Sequence, residues 1–185
     1  MSLDLLTISF ADRDAPKRFE QSLRSSGFAV LRDHPIPLDI ISSVYDEWKI
    51  FFSTDLKFDF PFDVDKQDGY FPFLSENAKG SNAKDLKEFY HIYPWGRMPN
   101  SIGPSTMDLF NALKDVASTL LEWLQSCSPD SVNQLFSMRL KDMIEDSESS
   151  LLRVIHYPPM SGNENTGSMR AAAHEDINLL TMLVA

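Results

Sequence analysis

The sequence predicts an α+β fold, a helical N-terminal half with a few strands followed by strands that cluster towards the C-terminus. Two segments, 37–52 and 105–124, repeat apolar residues at spacings of three and four, which is the signature of helices with one buried face. Between them and after them lie short runs of β-branched and aromatic residues bounded by proline and glycine, the pattern of strands. No internal repeat or linker divides the chain, and 185 residues with 43% hydrophobic content are enough for a sizeable core.

Taken in order, Asp12 and Asp14 precede a segment with Pro16 near its start and Gly27 at its end, which predicts a short helix stopping at that glycine. Phe28 to Arg32 is a brief strand ended by Asp33-His34-Pro35. Pro37 opens a helix whose Leu38, Ile41, Val44, Tyr45, Trp48, Phe51 and Phe52 recur at spacings of three and four, and Trp48, Phe51 and Phe52 are core residues. Residues 53–83 mix acidic and aromatic residues with Pro61, Gly69, Pro72 and Gly80, and read as a long irregular connection. Leu86 to Tyr93 reads as a strand broken by Pro94. Ser105 with Asp108 resembles a capping box ahead of the longest helix, and a second helical run follows Asp130 with Val132, Leu135, Phe136, Leu140, Met143 and Ile144 on one face. Leu151 to Tyr157 is a strand stopped by Pro158-Pro159.

Charge and composition exclude several classes. A net charge of −10, from 27 acidic against 17 basic residues, repels a phosphate backbone, so nucleic acid is not an expected partner. No apolar run approaches the roughly 20 residues of a membrane span, and the first residues lack the pattern of a signal peptide. A cytoplasmic protein without a membrane partner is the expectation, and a single Cys127 agrees with it.

The chemistry is concentrated in Ala171 to Val184. Read as a strand, this run turns His174 and Asp176 to one face and Glu175 to the other, so an imidazole and a carboxylate converge. Such a pair is two thirds of the 2-His-1-carboxylate triad that holds non-haem iron with open positions. A zinc hydrolase site finds little support, since no His-x-x-x-His or clustered cysteines occur.

Several stretches, in order, resemble the isopenicillin N synthase-like branch of the Fe(II)- and 2-oxoglutarate-dependent oxygenases. They are Gly27 to His34, Phe51-Phe52-Ser53 with Lys57, Gly69-Tyr70 and Asp85 to Glu88. The two most specific are Leu152-Arg153-Val154-Ile155-His156-Tyr157-Pro158-Pro159 and His174-Glu175-Asp176-Ile177-Asn178-Leu179-Leu180-Thr181. The resemblance implies that His174 and Asp176 hold iron, and that Tyr157 lies beside the cosubstrate or substrate carboxylate. It places Ile155 where many plant-type members carry an asparagine, which removes one expected cosubstrate hydrogen bond. It implies Fe(II) as cofactor, 2-oxoglutarate as cosubstrate and a small-molecule substrate. In fold terms it implies a helical N-terminal region packed on an incomplete double-stranded β-helix, or jelly roll, with residues 1–104 as the N-terminal dioxygenase-type region and 105–185 as helices and first strands of the jelly roll. The family's second iron-binding histidine and its Arg-x-Ser grip on 2-oxoglutarate belong to a continuation expected beyond residue 185.

Two alternatives accompany this expectation. One is an oxidase like isopenicillin N synthase, which needs no 2-oxo acid. The other is a non-catalytic fragment or metal-free binding module whose uncovered C-terminal strand invites self-association. Of the remaining histidines, His156 reads as a satisfied sheet residue and His34 and His91 as surface or turn residues, while Arg153 reads as a structural salt-bridge partner ahead of the alternative that it points into the pocket.

Overall fold

The computed structural model describes residues 5–76, 84–162, 169–174 and 176–184. They form two compact units, each drawn from two separated stretches: residues 1–38 with 108–147, and residues 39–107 with 148–185. Among the described residues no helix is long and apolar enough to cross a membrane.

In the first unit, strands β1 (Thr7–Ser9) and β2 (Val30–Arg32) pair in parallel, with Ile8 opposite Leu31, and helix α1 (Ala15–Ser26) connects them. Pro16 in the first turn lacks only an N–H that would have had no helical partner, so it costs nothing there. Gly27 takes φ 79° and its N–H donates to the Leu23 carbonyl at 2.9 Å, ending the helix as its position predicts. Asp33, with φ 56°, makes the turn after β2 in the left-handed region that aspartate tolerates better than most residues. The long helix α3 (Ser105–Cys127) begins in the second unit and continues into the first, where Trp123 packs against Phe10 and Phe19.

The continuous helix expected after Asp130 does not form. It breaks into α4 (Asp130–Asn133) and α5 (Asp142–Glu145), leaving Leu135 exposed. Side-chain amides explain the break: Asn133 Nδ2 donates to the Gln125 and Ser128 carbonyls, and Gln125 Oε1 accepts the Leu140 N–H. Polar side chains that bond to nearby backbone offer it an alternative to the helical ladder.

The second unit is built on an antiparallel sheet in the order β3 (Gly69–Phe71), β4 (Glu88–Ile92), β5 (Leu152–His156). Residue alternation gives the sheet two characters. On one face Tyr70, Glu88, Tyr90 and His156 lie on the side of helix α2 (Leu38–Ser53), where Trp48 meets Phe51, Phe52 and Tyr90 with ring centroids 5.1 to 5.9 Å apart. The three aromatic residues assigned to the core are all buried. On the other face stand Phe71, Phe89, His91, Arg153 and Ile155.

Residues 53–83 are less irregular than expected, within their described part. A 3₁₀ turn, Asp55–Asp59, follows α2, and β3 joins the sheet. Gly69 takes φ 105°, and a β-carbon there would meet the Pro61 carbonyl oxygen at 2.7 Å, which is why a strand could start at a glycine.

The strand expected from Ala171 to Val184 is also absent. The described residues 169–174 and 176–184 form bends and irregular backbone, with Ile177, Leu179 and Leu183 exposed. Backbone bonds tie the start of this stretch beside β4, from Leu86 N–H to the Met169 carbonyl (2.8 Å) and from Ala172 N–H to Asp85 Oδ1 (3.3 Å). A strand needs a partner to receive its backbone bonds, and among the described residues none lies alongside 174–184.

Candidate functional site

His174 and Asp176 meet without a strand. His174 Nε2 lies 3.3 Å from Asp176 Oδ1, both side chains about half exposed. The ring's other nitrogen, Nδ1, donates to the Ala172 carbonyl at 2.8 Å, which orients the imidazole and leaves Nε2 turned on the carboxylate. Asp176 is oriented in the same manner: its Oδ2 accepts from Thr181 Oγ1 at 2.7 Å, and Thr181 Oγ1 accepts from Asn178 Nδ2 at 2.7 Å. One nitrogen and one oxygen therefore face each other, each fixed by a hydrogen bond on its far side. A proton or a metal ion can occupy the gap. Cis ligands at about 2.1 Å from a metal sit roughly 3.0 Å apart, so the pair needs a shift of a few tenths of an ångström. Among the described residues no group of three His, Cys, Asp or Glu side chains could hold a metal. Glu175 lies outside the described residues.

Tyr157 follows β5 and is half-buried, with the Arg170 guanidinium 5.9 Å from its ring centroid; Arg170 also donates to the Pro158 carbonyl at 3.4 Å. Nothing in these contacts brings Tyr157 to the His174–Asp176 pair.

Two polar clusters escape the reading of the sequence. The first gathers the very residues that carried the family resemblance upstream. Glu88, almost fully buried, accepts from Lys57 Nζ at 2.9 Å, from the Tyr70 hydroxyl and from His156 Nδ1 at 2.7 Å, while Lys57 Nζ also donates to the Phe52 carbonyl at the end of α2. Burial by itself would raise the Glu88 carboxyl, but the bonds from Tyr70, His156 and Lys57 and the Lys57 charge hold it below the usual carboxylate range. These motif residues thus serve as a buried brace between sheet and helix. The signal in the sequence is a glutamate inside an otherwise apolar and aromatic strand.

The second cluster corrects the reading of His91 and Arg153. His91 is buried on β4, not a turn residue, and Arg153 has no carboxylate partner among the described residues. Arg153 Nε donates to His91 Nε2 at 3.0 Å, so that nitrogen carries a lone pair, and Nδ1 faces the Gln67 carbonyl at 3.2 Å. Burial and the Arg153 charge push the imidazole down to about 4 from 6.5, against the opposing effect of the Gln67 bond. Its folded pKa is lowered, so the stability it permits is complete above pH 6.5. As pH falls from 6.5 to 4 the unfolded chain gains a proton that the folded chain refuses, and folding weakens by about 3 kcal/mol. Urea unfolding at pH 7, 5.5 and 4 should show this loss in the native chain and a smaller one in His91→Gln; parallel pH profiles would refute the assignment.

Comparisons with known proteins agree on the family. Residues 3–107 match the family described as non-haem dioxygenase in morphine synthesis, N-terminal. The proline hydroxylase buaE of Petromyces alliaceus is 26% identical over 179 residues, which cover 88% of this chain and 55% of that protein. A protein from Shewanella oneidensis assigned as an oxygenase is 44% identical, with a TM-score of 0.83 over 95% of this chain and 62% of its own. A structure from Caulobacter crescentus assigned to the 2OG-Fe(II) oxygenase family is 28% identical, with a TM-score of 0.66 and the same coverage. Neurospora crassa T7H, solved with alpha-KG, shares the fold at 19% identity with a TM-score of 0.68. The chain spans a little over half the length of the proteins it matches. With more than half of its residues in the matched region, the chain belongs to the non-haem, 2-oxoglutarate-dependent oxygenase family.

Proposed function

We propose that this chain is the metal-binding part of a non-haem Fe(II)- and 2-oxoglutarate-dependent oxygenase that oxidises a small molecule, with His174 and Asp176 as two of the iron ligands. The observation that carries the reading is the approach of His174 Nε2 and Asp176 Oδ1 to 3.3 Å, each oriented from behind by a hydrogen bond. A neutral imidazole and a carboxylate are the donor set that non-haem iron takes. Fe(II) with 2-oxoglutarate supplies, when bound, the coupling of oxidative decarboxylation to oxygen insertion into a substrate C–H bond. The chain's own part would be to present His174 Nε2 and Asp176 Oδ1, with the carboxylate held from behind by the Thr181 hydroxyl. The antiparallel sheet of β3, β4 and β5 is then the beginning of a double-stranded β-helix. That buaE is a proline hydroxylase and that T7H binds alpha-KG supports the reaction class.

Mn(II) should broaden the NMR signals of His174 and Asp176 in this chain selectively, and His174→Ala and Asp176→Asn should each weaken that binding at least about tenfold. Uniform broadening, or none, would remove the metal assignment. In the protein extended to its relatives' length, anaerobic addition of 2-oxoglutarate to the Fe(II) form should produce a weak visible charge-transfer band. Its absence would sink the 2-oxoglutarate part of the reading while leaving the metal part standing.

A further inference from the structure

The turn after β4, Tyr93 to Arg97, presents a tryptophan that is at once exposed and fixed. Trp48 is buried and Trp123 packs on Phe10 and Phe19, whereas Trp95 keeps 48% of its surface in contact with solvent. One face of its ring stacks on Tyr93, with centroids 4.7 Å apart and planes 11° from parallel, and its Nε1–H donates to the Glu148 carbonyl at 3.0 Å. The exposure therefore belongs to the outer face of the ring. The backbone beneath is pinned as well. The Gly96 N–H donates to the Tyr93 carbonyl at 3.0 Å, and the Arg97 carbonyl accepts from the Tyr90 hydroxyl at 2.9 Å. Both the N–H and the guanidinium of Arg97 donate to Asp68, which has no exposure to water. An exposed indole held in this way has little freedom left to lose when something docks on it, which is the property of an anchor at an interface.

We infer that the outer face of Trp95 is a docking point for an arginine side chain of a protein partner, with the Glu148 carboxylate completing the contact. The electron-rich face of an aromatic ring attracts cations, and indole does so more strongly than phenol or benzene. The surroundings favour a cation too, since the chain carries a net charge of −10 and Glu148, exposed, is the residue on which the indole N–H ends. Among cations, guanidinium is planar and weakly hydrated and stacks on a flat ring, whereas an ammonium group holds its water. A small molecule needs a concave site to bury most of its surface, which a side chain carried by a folded partner does not. Trp95 follows the end of β4 opposite to the bonds that tie Met169 and Ala172 beside Leu86 and Asp85, so the contact stands apart from His174 and Asp176 and is independent of the oxygenase reading.

In ¹H–¹⁵N spectra of this chain, the peptide acetyl-Gly-Arg-Gly-amide should shift the Trp95 Nε1–H and Gly96 amide signals saturably and leave the Trp48 indole signal in place. The same peptide with citrulline, which keeps the planar shape without the charge, should move neither signal, and a lysine peptide should bind about threefold more weakly. Glu148→Gln removes the carboxylate but keeps the carbonyl that holds the indole, and should weaken binding about two- to fourfold. Trp95→Leu, followed at Gly96, should weaken it about fivefold. Equal shifts with the arginine and citrulline peptides, no shift at all, or unchanged binding in Glu148→Gln would overturn the docking point. Lysine bound as tightly as arginine would overturn the choice of guanidinium, and tetramethylammonium bound more tightly than the peptide would overturn the protein partner by making Trp95 a site for small cations.

Discussion

Glu88→Ala should destabilise the chain by about 3 to 5 kcal/mol, because it strips the carboxylate from a buried ammonium group and leaves two other donors unmatched. Lys57 would retain only the Phe52 carbonyl and the faces of Phe58 and Tyr70, each 5.6 Å from Nζ, while the Tyr70 hydroxyl and His156 Nδ1 would lose their acceptor. Urea unfolding followed by circular dichroism measures the loss. Lys57→Ala combined with Glu88→Ala should cost clearly less than the sum of the two single changes, since the second removal no longer breaks a pair. Additive losses would mean that Lys57 and Glu88 do not act together. The carboxyl's lowered pKa has a further consequence: its contribution is complete above the unfolded value of 4.5 and disappears as pH drops through the folded one.

Trp48→Ala should cost a similar 3 to 5 kcal/mol by opening a cavity where four aromatic rings meet. Trp48→Phe separates two contributions. It keeps most of the packing but removes the indole N–H that donates to Thr106 Oγ1 at 2.9 Å, a hydroxyl with no exposure to water. The phenylalanine variant should therefore lose about 1 to 3 kcal/mol, most of it recovered by adding Thr106→Val. If Trp48→Phe were as damaging as Trp48→Ala, volume at this position would matter less than the hydrogen bond.

Much of this core was legible in the sequence because helices announce themselves by period. Trp48, Phe51 and Phe52 fall on one face of α2, and α3 follows its leucines in the same way. Glycine and proline set the limits of α1. Strands β4 and β5 were visible as apolar runs, whereas β1 is only three residues long and β3 begins at a glycine, so neither leaves a pattern. The stretch from Ala171 to Val184 shows the limit of alternation as evidence, since a sequence can favour a strand that only hydrogen-bonded neighbours make. The approach of His174 to Asp176 was legible because i and i+2 spacing brings the two side chains together in irregular backbone as well as in a strand. His91 was misread for a different reason. What keeps it uncharged is its burial on β4 and then the charge of Arg153, 62 positions away, and no local pattern reports such a partner.

The register of β4 on β5 joins Glu88 to His156, 68 residues apart in sequence. Everything between them, including all of α3, must leave the ribosome before β4 gains its second neighbour, and the first unit's later stretch, 108–147, is made within that interval. Until then β4, whose residues all end up buried, offers an unpaired edge to whatever is near. Closing a loop of that length slows folding more than it weakens the final structure. During synthesis the strand that ends up at the centre of its sheet waits with one edge unpaired.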